Sequence, residues 1–237
     1  MVSNVIMNNF NLYFSLVYEN EEFIVINKKE NINFHSEDGE FGVVVAAEKA
    51  LNIKLYSVHR LDKMTSGLLL LAKSSHIAAH LSALFKAHQV QKYYIAITDK
   101  KPKKKQGLIQ GGMQKSRRSM WKLTKTKENL AITQFFSFTL GAGKRLFIIK
   151  PKTGKTHQIR VALKSIGSAI CGDPLYGEKT KQYDRGYLHA YQLEFTLLDK
   201  KYEFQVLPCS GELFKEGACV ELLTQHKSMA SLCWPKC

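Results

Sequence analysis

Asp62 stands in the run His59-Arg60-Leu61-Asp62-Lys63-Met64-Thr65-Ser66-Gly67, directly ahead of the apolar stretch Leu68 to Ala72. The apolar stretch reads as a buried strand and the polar residues before it as a turn. One carboxylate is thus carried on a rigid support yet held open to a substrate. Arg60 supplies a cation on one side, while Thr65, Ser66 and Gly67 offer hydroxyls and space on the other. That placement suits a carboxylate acting as a nucleophile.

Two other segments carry chemically capable side chains. The run Thr153-Gly154-Lys155-Thr156-His157-Gln158-Ile159-Arg160 opens a helix predicted over 156–166. His157, Arg160 and Lys164 recur on it at i, i+3 and i+7 and form a cationic face, with Ile159, Leu163 and Ile166 opposite to anchor it. On periodicity alone, such a face is most simply a solvated surface. The run Gln91-Lys92-Tyr93-Tyr94-Ile95-Ala96 predicts a strand, and an aromatic there needs no explanation beyond half-burial.

Taken together, the three segments say more. Arg-Leu-Asp followed two residues later by Thr-Ser-Gly, then Lys92-x-Tyr94, then Gly-Lys-Thr-His-Gln-Ile-Arg ending at Arg160 resemble the three motifs of the RluA-type pseudouridine synthases, in that family's order. The likeness spans roughly residues 16–208. It implies an enzyme that detaches uracil from C1′ of its ribose, turns the base and rejoins it through C5, with no cofactor and no metal. It further implies that Asp62 attacks C1′ or assists loss of the C2′ proton, that Arg160 pairs with Asp62, and that Tyr94 stacks on the extruded base and is a candidate to move the proton at C5. Arg60, Lys92 and His157 become substrate contacts. The Arg160 role is physically sensible, because burial favours the neutral form of a carboxylic acid and a neighbouring guanidinium opposes that. Gly172-Asp173-Pro174-Leu175-Tyr176-Gly177 and Leu188-His189-Ala190 also match the family and read as structural, a turn and an alternating strand. Departures are Lys29 for a proline, Asn31 for a glycine, Lys155 for an arginine and Ala162 for a histidine. None falls on Asp62, Tyr94 or Arg160.

Composition agrees with a polyanionic partner. Lysine and arginine number 35 against 20 acids among 237 residues, a formal charge of +15. RNA is the expected partner, a ribosomal or transfer RNA stem-loop, and the protein is expected to act as a cytoplasmic monomer. Lys103, Lys104 and Lys105 lie in the run 100–105, which reads as a solvated loop. Arg117, Arg118 and Trp121 lie in a glycine-led basic segment over 111–122 that reads as flexible, with an exposed indole to stack a base. No apolar run approaches the length of a membrane span. The five cysteines, Cys171, Cys209, Cys219, Cys233 and Cys237, form an odd set, which fits a reducing compartment better than a disulfide framework. Those beyond Cys209 lack the paired spacing of a structural zinc site, so no metal is expected.

The elements that must position these groups are strands predicted over 22–27, 68–72, 91–98, 132–140, 145–149, 186–195 and 202–206. Helices are predicted over 41–51, with Ser36 and Asp38 as possible caps, and from Ser74 to His88. Strands joined by hairpins with few helices predict an α+β fold on a mixed, mostly antiparallel sheet. The expected organisation is an N-terminal extension over 1–16, a catalytic domain over 17–208, and a tail over 209–237, without the small N-terminal RNA-binding domain of many relatives. Two other functions fit parts of the pattern. One is a catalytically idle RNA-binding protein that keeps the same fold. The other is a hydrolase using His59 or Ser66, for which no base with an orienting partner is recognisable.

Overall fold

A computed structural model describes residues 12–37, 39–226 and 228–236. Asp38, Cys237 and most of the expected N-terminal extension lie outside the described residues. The chain divides into two compact units, residues 1–91 with 190–207 and residues 92–189 with 208–237.

In the first unit, β1 (Phe14–Glu19), β2 (Phe23–Lys28), β4 (Ser66–Ala72) and β10 (Leu188–Leu197) lie side by side in that order. A short β3 (Tyr56–Ser57) pairs with β4, and β11 (Lys200–Gln205) pairs with β10. β2 and β4 are buried along their whole lengths, as continuous apolar runs require, and pair antiparallel with Asn27 opposite Leu68 and Lys28 opposite Gly67. β10 and β11 meet through Leu198 and Asp199, whose φ values of 48° and 62° make the tight left-handed turn of a two-residue hairpin. The core gathers Phe23, Val25, Leu68, Leu70, Leu193, Phe195 and Tyr202. The Phe23 and Tyr202 rings meet edge to face at 4.9 Å.

Helix α1 (Val43–Leu51) begins at Gly42, whose N–H donates to Ser36 Oγ over 3.1 Å, so the serine serves the helix start without being its cap. Helix α2 (Ser75–Lys86) is capped by Ser74, which accepts from the Ile77 N–H, and it buries Ile77 and Leu81. His88, expected on the same helical face, lies past its end with φ 57°. Asn31, standing where the resembled family has glycine, adopts φ 59°. Asparagine tolerates that left-handed geometry, so the replacement keeps the turn.

The second unit holds β5 (Gln91–Thr98), β9 (Lys144–Pro151), β8 (Leu130–Gly141), β6 (Gln106–Lys115) and β7 (Trp121–Thr124), side by side in that order and antiparallel in each pair. Residues 111–122 are therefore a β-hairpin, where the sequence suggests a flexible basic segment. Glycines and polar residues, which have low strand propensity, hide β6 from sequence. Helix α3 (Gln158–Ser165) starts two residues later than expected. The C-terminal segment, with α4 (Glu212–Lys215) and α5 (Gly217–Gln225), folds onto this unit: Trp234 packs against Tyr93 and Phe136, and His226 against Phe138. Among the described residues no helix is long and apolar enough to cross a membrane.

Candidate active site

Asp62 opens a turn closed by the Thr65 N–H donating to the Asp62 carbonyl over 3.0 Å, and β4 begins at the next residue. Asp62 as a residue is half-buried. Two devices fix its backbone. Lys28, at the end of β2 and 0% exposed, donates from Nζ to the carbonyls of Lys29 (2.8 Å), Ile32 (2.8 Å) and Lys63 (3.1 Å). A buried ammonium with three carbonyl acceptors has much of its lost hydration replaced, and it ties the loop after β2 to the residue following Asp62. Gly67 supplies the second device. A Cβ there would stand 2.3 Å from the Ala190 carbonyl oxygen, and its φ is 111°, so β4 and β10 close up only around glycine.

The same unit bears on the hydrolase reading. His59 Nε2 accepts the Leu70 N–H over 2.9 Å, and its ring stacks on Phe85 at 4.6 Å. The imidazole nitrogen that a base needs is therefore engaged with backbone, and Ser66 is buried in β4. Arg60 is exposed, with its guanidinium 5.9 Å from the buried Phe34 ring.

In the second unit, Lys92 and Tyr94 are half-buried neighbours on β5, and between them Tyr93 is buried beneath Trp234. Burial lowers the Lys92 ammonium below the usual lysine range, since desolvation penalises the charged form. A Cβ added at Gly154, in the lead-in to α3, would lie 3.7 Å from Lys92 Nζ.

The cationic face expected on α3 is not a surface feature. Arg160 is 4% exposed, Gln158, Ile159, Val161, Ala162 and Leu163 are buried as well, and only Lys164 and Ser165 of the helix reach solvent. His157 is the residue before the helix, with φ 56°. Arg160 Nε and Nη2 donate to Asp173 Oδ2 (2.8 Å) and Oδ1 (2.9 Å), a bidentate pair with Asp173. Asp173 Oδ1 also accepts the Leu175 and Tyr176 N–H groups over 2.9 and 3.0 Å. The Gly-Asp-Pro turn is thus more than a turn, because its aspartate aligns the guanidinium. Gly172 permits it: a Cβ at its φ of 68° would fall 1.9 Å from the Arg185 carbonyl oxygen. The signal that could have found Asp173 was a carboxylate in a turn that matched the resembled family.

Tyr176 joins the rest. Its ring lies under the Arg160 guanidinium at 5.1 Å, its hydroxyl accepts the Trp121 N–H over 2.8 Å, and it bonds His157 Nδ1 at 3.0 Å. Trp121 is half-buried and packs with Met113 and Tyr176, so the indole is not the bare platform expected from sequence. Lys103, Lys104, Lys105, Arg117 and Arg118 are all exposed, the arginines at the tip of the β6–β7 hairpin. Arg60 and Asp62 belong to the first unit, and Lys92, Tyr94, Trp121, His157 and Arg160 to the second. Among the described residues no cluster of metal-ligating side chains occurs.

Comparison with known proteins gives a concordant result. A family model described as RNA pseudouridylate synthase matches residues 22–165. A Haemophilus influenzae protein named "uncharacterized RNA pseudouridine synthase" is 51% identical over 200 residues, covering 84% of this chain and 89% of that protein. A Rickettsia bellii protein named "ribosomal large subunit pseudouridine synthase C" is 37% identical over 196 residues, covering 78% of this chain and 64% of its own length. In fold, the structure of human RNA pseudouridylate synthase domain containing 4 superposes with a TM-score of 0.69 at 23% identity, over 95% of this chain and 97% of that one. The chain therefore belongs to the RluA-type RNA pseudouridine synthases, isomerases that act on uridine in RNA.

Proposed function

We propose that the enzyme isomerises a specific uridine in structured ribosomal or transfer RNA, with Asp62 as its nucleophile and Tyr94 and Arg160 as the other catalytic residues. The reaction breaks the bond from N1 of uracil to C1′ and forms one from C5 to C1′; C5 loses its hydrogen and N1 gains one, so atoms and electrons balance without a redox partner. Asp62 attacks C1′ or assists loss of the C2′ proton, Tyr94 offers its ring to the unstacked base, and Arg160 supplies the positive charge that an ionised nucleophile needs. Arg60, Lys92 and His157 contact the nucleotide. Lys103, Lys104, Lys105, Arg117 and Arg118 hold phosphates, offsetting the few kcal/mol that unstacking a base costs.

One observation carries this reading. Asp62 occupies a turn whose backbone is fixed from both sides, by the Lys28 ammonium and by β4, as a nucleophile that must meet one carbon atom requires. Ribosomal RNA is favoured by the names of relatives such as the Rickettsia bellii protein. The enzyme works as a monomer in the cytoplasm. Pseudouridine mapping of total RNA from cells with and without the gene tests the target. One uridine in ribosomal or transfer RNA should lose its modification; an unchanged map would refute the proposal.

A further inference from the structure

We propose that Tyr176 is a positioning residue that couples RNA engagement at the β6–β7 hairpin to the alignment of Arg160. The inference rests on the reading of Arg160 as catalytic and adds to it a route by which substrate docking reaches that side chain.

The route is short and continuous. Arg117 and Arg118 stand exposed at the hairpin tip, where the Ser116 N–H bonds the Met120 carbonyl and Arg118 and Ser119 both take left-handed φ values of 54° and 58°. Trp121 follows at once, the first residue of β7, at the end of this unit's strand order. Its N–H donates to the Tyr176 hydroxyl over 2.8 Å. A phenolic oxygen that accepts there still has its own hydrogen to give, and His157 Nδ1 at 3.0 Å can take it. His157 is the residue on which α3 begins, three positions before Arg160.

The body of Tyr176 does a second job. Its ring faces the Arg160 guanidinium at 5.1 Å, and its own N–H bonds the Asp173 oxygen that also receives Arg160 Nη2. One buried residue therefore touches the hairpin through its hydroxyl, the start of α3 through the same oxygen, the arginine through its ring, and the arginine's partner Asp173 through its backbone. Moving or ordering the hairpin must disturb, or settle, the groups that hold Arg160, because packed interiors transmit small shifts. Without RNA, the leading end of β7 is held by its pairing with β6, Trp121 opposite Lys115, and by the Tyr176 bond; with phosphates on Arg117 and Arg118 that end is fixed from outside as well.

The variant that separates these jobs is Tyr176→Phe. It keeps the ring under Arg160 and the backbone bond to Asp173 and removes only the hydroxyl tether. Single-turnover rates at saturating RNA and dissociation constants should be measured for the full chain, for Tyr176→Phe, for Arg117→Gln with Arg118→Gln, and for all three changes together. Tyr176→Phe should slow the saturated rate about tenfold while changing affinity less than about twofold. The hairpin variant should lose affinity in both backgrounds, but should slow the saturated rate only where Tyr176 is present. Independent, multiplicative rate effects would overturn the proposal, as would an unchanged rate in Tyr176→Phe. Thermal melting guards against a folding defect, and amide exchange adds a second reading: the Trp121 N–H should exchange faster in Tyr176→Phe, and protection equal to that of the wild type would also count against the tether. Turnover of RNA by the unaltered enzyme, together with its loss in Asp62→Asn, stands or falls separately, so failure of the catalytic reading is distinguishable from failure of the coupling.

Discussion

Arg160 and Asp173 form a bidentate ion pair in which the arginine is 4% and the aspartate 0% exposed at the side chain. Thirteen residues apart in sequence, they lock α3 to the turn that follows it. Removing one partner of such a pair strands the other charge without water. Asp173→Ala should therefore destabilise the protein by about 3–5 kcal/mol, read by urea denaturation. A loss below about 1 kcal/mol would mean that Arg160 is held by its other contacts.

Lys92 sets the opposite sign. Burial lowers its folded value below the ordinary 10.5 of an unfolded lysine, so in the window between the two the unfolded chain binds more protons. Stability contributed at this position rises with pH through that window, and below it the penalty of burying a charge is fully present. Lys92→Met should raise the melting temperature near neutral pH and abolish that alkaline gain, while lowering activity. A melting temperature that falls would show that Lys92 is a net stabilising contact.

Much of this was legible in the sequence, for identifiable reasons. β2, β4, β5, β8 and β9 are runs of β-branched and large apolar residues, and their periodicity is that of buried strands. The Asp62 turn was visible as a polar run ahead of an apolar one and α3 through its helical spacing, while motif resemblance assigned the roles of their residues. What failed were features fixed by tertiary contacts. The β6–β7 hairpin owes its strands to neighbours rather than to propensity, and the helical pattern of His157, Arg160 and Lys164 gave no hint that Arg160 faces Asp173 inside the fold. The indole of Trp121 looked solvent-directed for the same reason: nothing local announces Tyr176, which lies 55 positions on.

The exposed lysines 103 to 105 make a clean electrostatic test. Replacing all three with glutamine should weaken RNA binding and reduce the slope of log K against log salt by about 0.7 to 0.9 for each phosphate that is no longer neutralised. The saturated rate should not change. An unaltered slope would mean that these side chains are merely solvated.

Thiol chemistry should divide the described cysteines. Burial pushes the Cys171 thiol up to about 11 and Cys219 up to about 12, whereas Cys209 and Cys233 are exposed. At mildly alkaline pH, an alkylating reagent followed by peptide mass spectrometry should find Cys209 and Cys233 modified and Cys171 and Cys219 intact. Rapid labelling of Cys219 would contradict the packing of α5.

In the proposed mechanism the Asp62 carboxylate performs the chemistry. Asp62→Asn preserves shape and should preserve RNA affinity, but it removes the charge on which C1′ attack or C2′ deprotonation depends. Tritium release from RNA carrying C5-labelled uridine measures the reaction directly. Asp62→Asn should bind RNA about as tightly as the unaltered enzyme with no detectable release; release near the unaltered rate would show that another group does the chemistry.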